Sequence, residues 1–184
     1  MRKLVAAAFA VMMLASVASA YDFTIGGQLG FNYQKDETVS PSVKTTGFTI
    51  APEFAKIIDE DTNVGIGLLY DYEKVDSDKT TTLGVYLFGE KAVLNPGPFK
   101  VFLRGDIGYN STKFDGVSDR ANSIYVKIMP NVQYGLTDRL TLIVSSDVLS
   151  LGFAYDKQGD AKTTDFGFNV GNGNIMAVGL KYAF

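Results

Sequence analysis

The chain has 184 residues, of which 46% are hydrophobic and 12% aromatic, and 17 basic against 20 acidic residues give a net charge of −3. It contains no histidine and no cysteine, which removes Ser-His-Asp and Ser-His-Glu hydrolysis, thiol nucleophiles, thiolate metal sites and disulfides together. No basic stripe is present, so nucleic acid is excluded as a partner.

Met1-Arg2-Lys3 is a short basic lead, Leu4 to Val17 is almost wholly apolar, and Ala18-Ser19-Ala20 has the small-x-small form of an export cleavage site. The apolar run is shorter than the roughly 20 residues that span a bilayer as a helix. Residues 1–20 therefore read as a cleaved signal peptide and residues 21–184 as one mature domain starting at Tyr21. No cysteine follows for a lipid anchor. Removing Arg2 and Lys3 leaves 15 basic against 20 acidic residues, a mature net charge of −5.

The mature chain alternates with a period of two, the signature of half-buried strands. The first segment sets Phe23, Ile25, Leu29, Phe31 and Tyr33 against Thr24, Gln28, Asn32 and Gln34. Phe48, Ile50 and Phe54 follow, opposed by Thr49, Ala51 and Glu53. A third runs Val64, Ile66, Leu68, Tyr70, Tyr72. In the fourth, Leu83, Val85 and Leu87 share a face, while Tyr86 and Phe88 leave the other face ambiguous. The fifth sets Phe99, Val101, Leu103, Ile107 and Tyr109 against Lys100, Arg104, Asp106 and Asn110. The sixth places Ile124, Val126, Ile128, Val132 and Tyr134 opposite Ser123, Lys127, Asn131 and Gln133. Leu140, Leu142, Val144 and Val148 form the seventh, after which the apolar parity shifts to Leu149, Leu151, Phe153 and Tyr155. The eighth ends the chain on Met176, Val178, Leu180, Tyr182 and Phe184, with Gly171-Asn172-Gly173-Asn174 interrupting its even-numbered face. Both irregularities predict bulges. Pro52 and Pro130 cannot donate to a ladder, so a bulge is expected near each.

Polar stretches at Lys35–Lys44, Val75–Lys79, Ser111–Ala121 and Asp156–Thr164 alternate with turns at Asp59–Asn63, Glu90–Pro98 and Gly135–Arg139. Short connections make consecutive strands antiparallel neighbours. The expected fold is all-β, an eight-stranded antiparallel up-and-down transmembrane β-barrel with both termini on the turn side. The competing reading is a soluble lipocalin-like barrel, apolar inside and wet outside. Three features favour lipid outside: an inward face rich in small residues, aromatics near strand ends, and the apolar Phe184. The inward face carries Glu53, Asp71, Glu73, Asp106 and Asp147 against Lys100, Arg104, Lys127 and Lys181, in similar numbers. These are read as a lumen network whose acids pair with Arg104 and Lys100. Phe102, Tyr125 and Met129 also point inward by parity, and an eight-stranded interior is just wide enough for side chains to fill.

The mature chain resembles the small eight-stranded outer-membrane barrels of Gram-negative bacteria, the OmpX-like and outer-membrane β-barrel domain group. Gly179-Leu180-x-Tyr182-x-Phe184 carries the resemblance most specifically, matching the assembly signal that the insertion machinery reads in such proteins. Phe48-Thr49-Ile50-Ala51-Pro52 with Val64-Gly65-Ile66-Gly67 resembles the family's second hairpin; Ala55-Lys56 departs from it. The resemblance implies a cell outer-membrane location. It also implies contact with membrane lipid, the barrel assembly machinery and periplasmic chaperones, in a protein acting as a monomer. It does not specify activity.

No enzyme chemistry is expected: without histidine, only carboxylate pairs such as Asp71 and Glu73 remain, and ion pairing accounts for them more simply. Asp59-Glu60-Asp61 and Asp76-Ser77-Asp78 lack the spacing of a calcium loop and read as solvated turns. No metal or cofactor is expected. The expected role is structural or surface-interacting, with a narrow pore for small or hydrophobic molecules as the alternative. Deleting Phe184 is expected to reduce the heat-modifiable, folded band on unboiled denaturing gels while export to the periplasm continues; a deletion variant that assembles normally contradicts this assignment of the terminal residue.

Overall fold

A computed structural model describes residues 22–36, 43–146, 149–170 and 176–184. The proposed signal segment, Tyr21 and Asp147 lie outside the described residues. The strands are β1 (Phe23–Asp36), β2 (Val43–Asp59), β3 (Thr62–Val75), β4 (Asp78–Leu94), β5 (Phe99–Phe114), β6 (Ala121–Gly135), β7 (Leu140–Ser146), β8 (Leu149–Gln158), β9 (Ala161–Val170) and β10 (Met176–Ala183). All pairings are antiparallel, and they run β5-β4-β3-β2-β1-β10-β7-β6-β8-β9 with β5 also paired to β6. That extra pairing closes the sheet into a barrel. Within it β7 with β8, and β9 with β10, each form one stave, so ten strands make eight staves.

The split staves explain the parity shift after Val148. β6 pairs with β8 down to Ile128↔Leu151 and with β7 from Asn131↔Ser145. Three steps along β6 therefore oppose six on its neighbour, an excess of three residues. An odd excess turns the strand over, which lets even-numbered Leu142 and Val144 and odd-numbered Leu151 and Phe153 share the outer face. Val170 stands opposite Leu149 and Met176 opposite Ser146; the Gly171-Asn172-Gly173-Asn174 interruption between them lies outside the described residues.

The two prolines are handled differently from expectation. Pro130 sits where β6 changes partner, beside the irregularity. Pro52 needs no bulge: β2 keeps one register with β3 on both sides of it, simply omitting Ala51 and Pro52 from that ladder, and Pro52 lies opposite Gly27 of β1. The β2 register shift falls instead at Ile57/Asp59, next to the turn.

Two predicted loops are mostly strand. β3 and β4 are joined by Asp76-Ser77 alone, and β8 and β9 by Gly159-Asp160 alone. Asp76 (φ 52°) and Gly159 (φ 57°) adopt the left-handed conformation that two-residue hairpin turns require. The Asp76 carboxylate also accepts the Lys44 N–H at 2.9 Å, tying this turn to β2. Strands β1 to β6 are 14 to 17 residues long, more than the about 9–11 that cross a bilayer. Their surplus raises the rim opposite the termini.

Polarity is inverted relative to a water-soluble barrel. Leu29, Ile50, Ile66, Leu87, Leu103, Ile107, Ile128 and Val178 are exposed on the outer surface. Inside, ten buried polar or charged residues outnumber seven buried apolar ones among the described residues. A lipocalin-like interior would show the reverse. Tyr86 and Phe88, ambiguous in the sequence, point inward and are buried. Glycines opposite them make room: Gly67 faces Tyr86 and Gly65 faces Phe88 across the β3–β4 ladder. A Cβ at Gly65 would stand 2.6 Å from the Phe88 ring.

Candidate functional site

The inward faces of β2, β4, β5 and β10 converge on two stacked polar tiers. In the upper tier Arg104 (β5) reaches Glu53 (β2) at 2.7 Å through Nη2 and Asp106 at 2.8 Å through Nε. The Tyr86 hydroxyl donates to Glu53 Oε1 at 2.9 Å. In the lower tier Lys181 (β10) pairs with Glu90 (β4). Glu90 also accepts Asn63 at 3.0 Å, Gln133 at 3.1 Å and Asn131 at 3.3 Å. The Phe88 ring joins the tiers, with the Arg104 guanidinium 4.1 Å and the Lys181 ammonium 5.9 Å from its centroid. Phe102 and Met129 fill the remaining space as buried apolar residues.

Every charge in these tiers is almost fully buried, and each has an opposite charge in contact. Removing one partner strands the others in a low dielectric, which typically costs about 3–5 kcal/mol. Two acceptor and donor atoms of the upper tier, Glu53 Oε2 and Arg104 Nη1, make no hydrogen bond. Both residues border the space above.

That space is a cavity of about 890 Å³ in the half of the lumen away from the termini. Glu53, Tyr86, Arg104, Asp106 and Met129 form its floor, and Gln28, Thr49, Asp71, Thr82, Asn110, Lys127 and Asp156 are among its walls. Side chains thus plug the inner half of the lumen and leave the outer half as a cup, a division that strand parity alone does not reveal.

The predicted network is only partly one site. Glu53, Arg104, Asp106 and Lys181 belong to the plug. Asp71 lies higher, on the cup wall, accepting the Thr49 hydroxyl at 2.5 Å. Lys127 stands opposite Asp106 in the β5–β6 register and also borders the cup. Glu73 is higher still on β3, half-buried between Gly47 and Thr80. Lys100 departs from expectation: it leaves the lumen and reaches Asp61 at 3.4 Å and the Glu60 carbonyl at 2.8 Å in the β2–β3 turn. Its position near the strand start makes the turn closer than the plug. The Asn95 amide, at 2.9 Å, and then Lys100 hold the Asp61 carboxyl below its ordinary range. That contribution is complete above the ordinary aspartate range and is lost as pH falls through the depressed value.

Glu90 is the central residue that sequence reasoning misses. The Glu90–Pro98 stretch reads as a turn, yet β4 continues to Leu94 through a register shift at Ala92/Leu94. The signal was present: Tyr86, Phe88 and Glu90 continue one even-numbered face.

The terminal motif has a direct structural role. Gly179 packs where a side chain would collide with the Gly27 carbonyl of β1. Leu180 and Tyr182 are exposed on the outer face. Phe184 N–H donates to the Phe23 carbonyl at 3.0 Å, and Phe23 N–H returns a bond at 3.4 Å, finishing the barrel closure. The Phe184 ring lies 6.5 Å from that of Phe54.

Neither a family model nor a curated protein sequence matches the chain. Solved structures do. Neisserial surface protein A is similar with a TM-score of 0.60 at 18% identity, covering 91% of this chain and 100% of that one. Outer membrane protein W of E. coli is similar with a TM-score of 0.53 at 12% identity, again covering 91% and 100%. The fold is that of the small eight-stranded outer-membrane β-barrels.

Replacing Arg104 by Met leaves Glu53 and Asp106 facing each other unpaired. Denaturant unfolding in lipid vesicles is expected to show a loss of roughly 3–5 kcal/mol. The triple replacement Arg104→Met, Glu53→Gln, Asp106→Asn is expected to recover most of it; a neutral Arg104→Met contradicts the network.

Proposed function

We propose that the chain is an integral outer-membrane barrel with a structural and surface-interacting role, non-catalytic and closed to ion flow. Export through a cleaved signal at residues 1–20, assembly by the outer-membrane barrel machinery with periplasmic chaperones, and a monomeric state complete the reading. The likeness to outer-membrane barrels and the apolar outer surface support the location.

The observation that carries the closed state is the double plug. Glu90 is 2% exposed and Arg104 1% exposed, so any ion path must displace paired charges and the Phe88 ring between them. The buried carboxylates are engaged in ion pairs, Glu53 and Asp106 with Arg104 and Glu90 with Lys181. What the barrel presents outward is its raised rim and the polar cup.

Purified protein in planar bilayers tests this. No conductance steps above those of the empty bilayer are expected. Reproducible unitary steps from the intact protein favour the narrow-pore alternative instead.

A further inference from the structure

The barrel wall is not paired along its whole height. β1 pairs with β2 from Phe23↔Lys56 to Asp36↔Val43, but with β10 only from Thr24↔Ala183 to Gly30↔Ala177. β9 pairs with β8 along its length and, among the described residues, has no second neighbour in the sheet. In the order of staves, the outer part of β1, from Phe31 to Asp36, and β9 are adjacent edges without a ladder between them. The inner half of the barrel is sealed; the outer half carries a seam.

Two further observations fall on the same line. Outward apolar residues such as Val85, Ile66, Ile107 and Leu87, on staves paired on both sides, are 41–57% exposed, whereas at the seam Tyr33 is 63%, Phe31 69% and Phe166 76% exposed. These side chains lack the neighbour a continuous wall would supply. The cup also reaches the seam, since Gly30 of β1, at its foot, and Asp165, Phe166 and Gly167 of β9 border it.

A seam of this kind makes two chemical demands. Free strand edges in hydrocarbon leave N–H and C=O groups unpaired, at several kcal/mol each. The aromatic lips demand hydrocarbon. One molecule answers the edge carbonyls and the aromatic lips together if its tail lies in lipid against Phe31 and Phe166 and its hydrogen-bond-donating head enters the cup. Cup charges define the head: Glu53, Asp71, Asp106, Asp156 and Asp165 outnumber Arg104 and Lys127, and of the buried side-chain atoms without a hydrogen bond two are acceptors, Glu53 Oε2 and Asn110 Oδ1, against one donor, Arg104 Nη1.

We propose that the seam between the outer part of β1 and β9 is a lateral portal through which a single-tailed amphiphile with a cationic, hydrogen-bond-donating head binds from the membrane into the cup. The proposal rests on the membrane reading of the outer surface and is independent of whether the plug conducts.

The chain has no tryptophan and no cysteine, so reporters can be placed cleanly. Leu69→Trp puts one fluorophore on the cup wall, and Tyr125→Trp supplies a second if the first variant does not assemble. Each is reconstituted in vesicles and titrated with a long-chain alkylamine brominated near its head. Flotation of the protein with the vesicles is read first, and failure to float overturns the membrane reading itself. In floating protein, quenching is expected to saturate. It is expected to fall at least five-fold when Phe31→Cys and Phe166→Cys are bridged by a bismaleimide, and to be weak with the brominated carboxylate of equal chain length. Quenching that rises linearly with membrane amphiphile, survives bridging, or is equal for the carboxylate overturns the portal while leaving the barrel reading intact.

Discussion

Backbone satisfaction is the constraint from which the rest of this structure follows. Hydrocarbon offers no replacement for a lost hydrogen bond, so a sheet in lipid must close on itself. Here closure depends on a short contact, seven registered pairs between β1 and β10 completed by the Phe23–Phe184 backbone bonds. Gly26 and Gly179 bring the two strands together where a side chain would intervene. Once closed, the barrel has only one place for polar side chains, the lumen, and alternation along each strand sends charges inward and aliphatic groups outward.

An eight-stave interior is narrow, and charges placed in it cannot be left to water. The solution is two ion-paired tiers stacked through the Phe88 ring. Size complementarity within the lumen is as important as charge: Gly65 and Gly67 are small because Phe88 and Tyr86 occupy the space in front of them. Arg104 can hold two carboxylates because its guanidinium spans from β2 to its own strand, a geometry that a lysine point charge does not reproduce. Above the tiers the walls carry shorter side chains such as Thr49, Thr82 and Ser123, and the lumen opens into the cup.

The strand faces were legible in the sequence wherever a stave is regular, because period-two alternation reports directly on a lipid-facing wall. Leu83, Val85 and Leu87 are outward as their parity states, and Arg104, Asp106 and Lys181 are inward. Legibility failed where the relation between sequence and space is not local. Glu90 looked like part of a turn because a register shift hides the end of β4. Lys100 has inward parity, but its height along the barrel, not its face, decides that it meets Asp61. The parity change near Val148 was visible, yet the three-residue excess behind it requires knowing which β6 residues lie opposite. Pro52 looked like a bulge and is accommodated by two ladder positions left unpaired. The division of the lumen into plug and cup depends on the heights of side chains from different staves, which no single strand encodes.

The barrel is inverted, with lipid against the outer face and a dry, ion-paired plug within. The most direct measurement is a nitroxide scan of residues 83–88 in bilayers, one cysteine-attached label at a time in a chain that has no other cysteine. Collision rates with oxygen, which partitions into lipid, should be high at Leu83, Val85 and Leu87 and low at Tyr86 and Phe88, with a water-soluble nickel reagent reaching neither group. Oxygen accessibility without alternation, or greatest at Tyr86 and Phe88, would contradict this inversion.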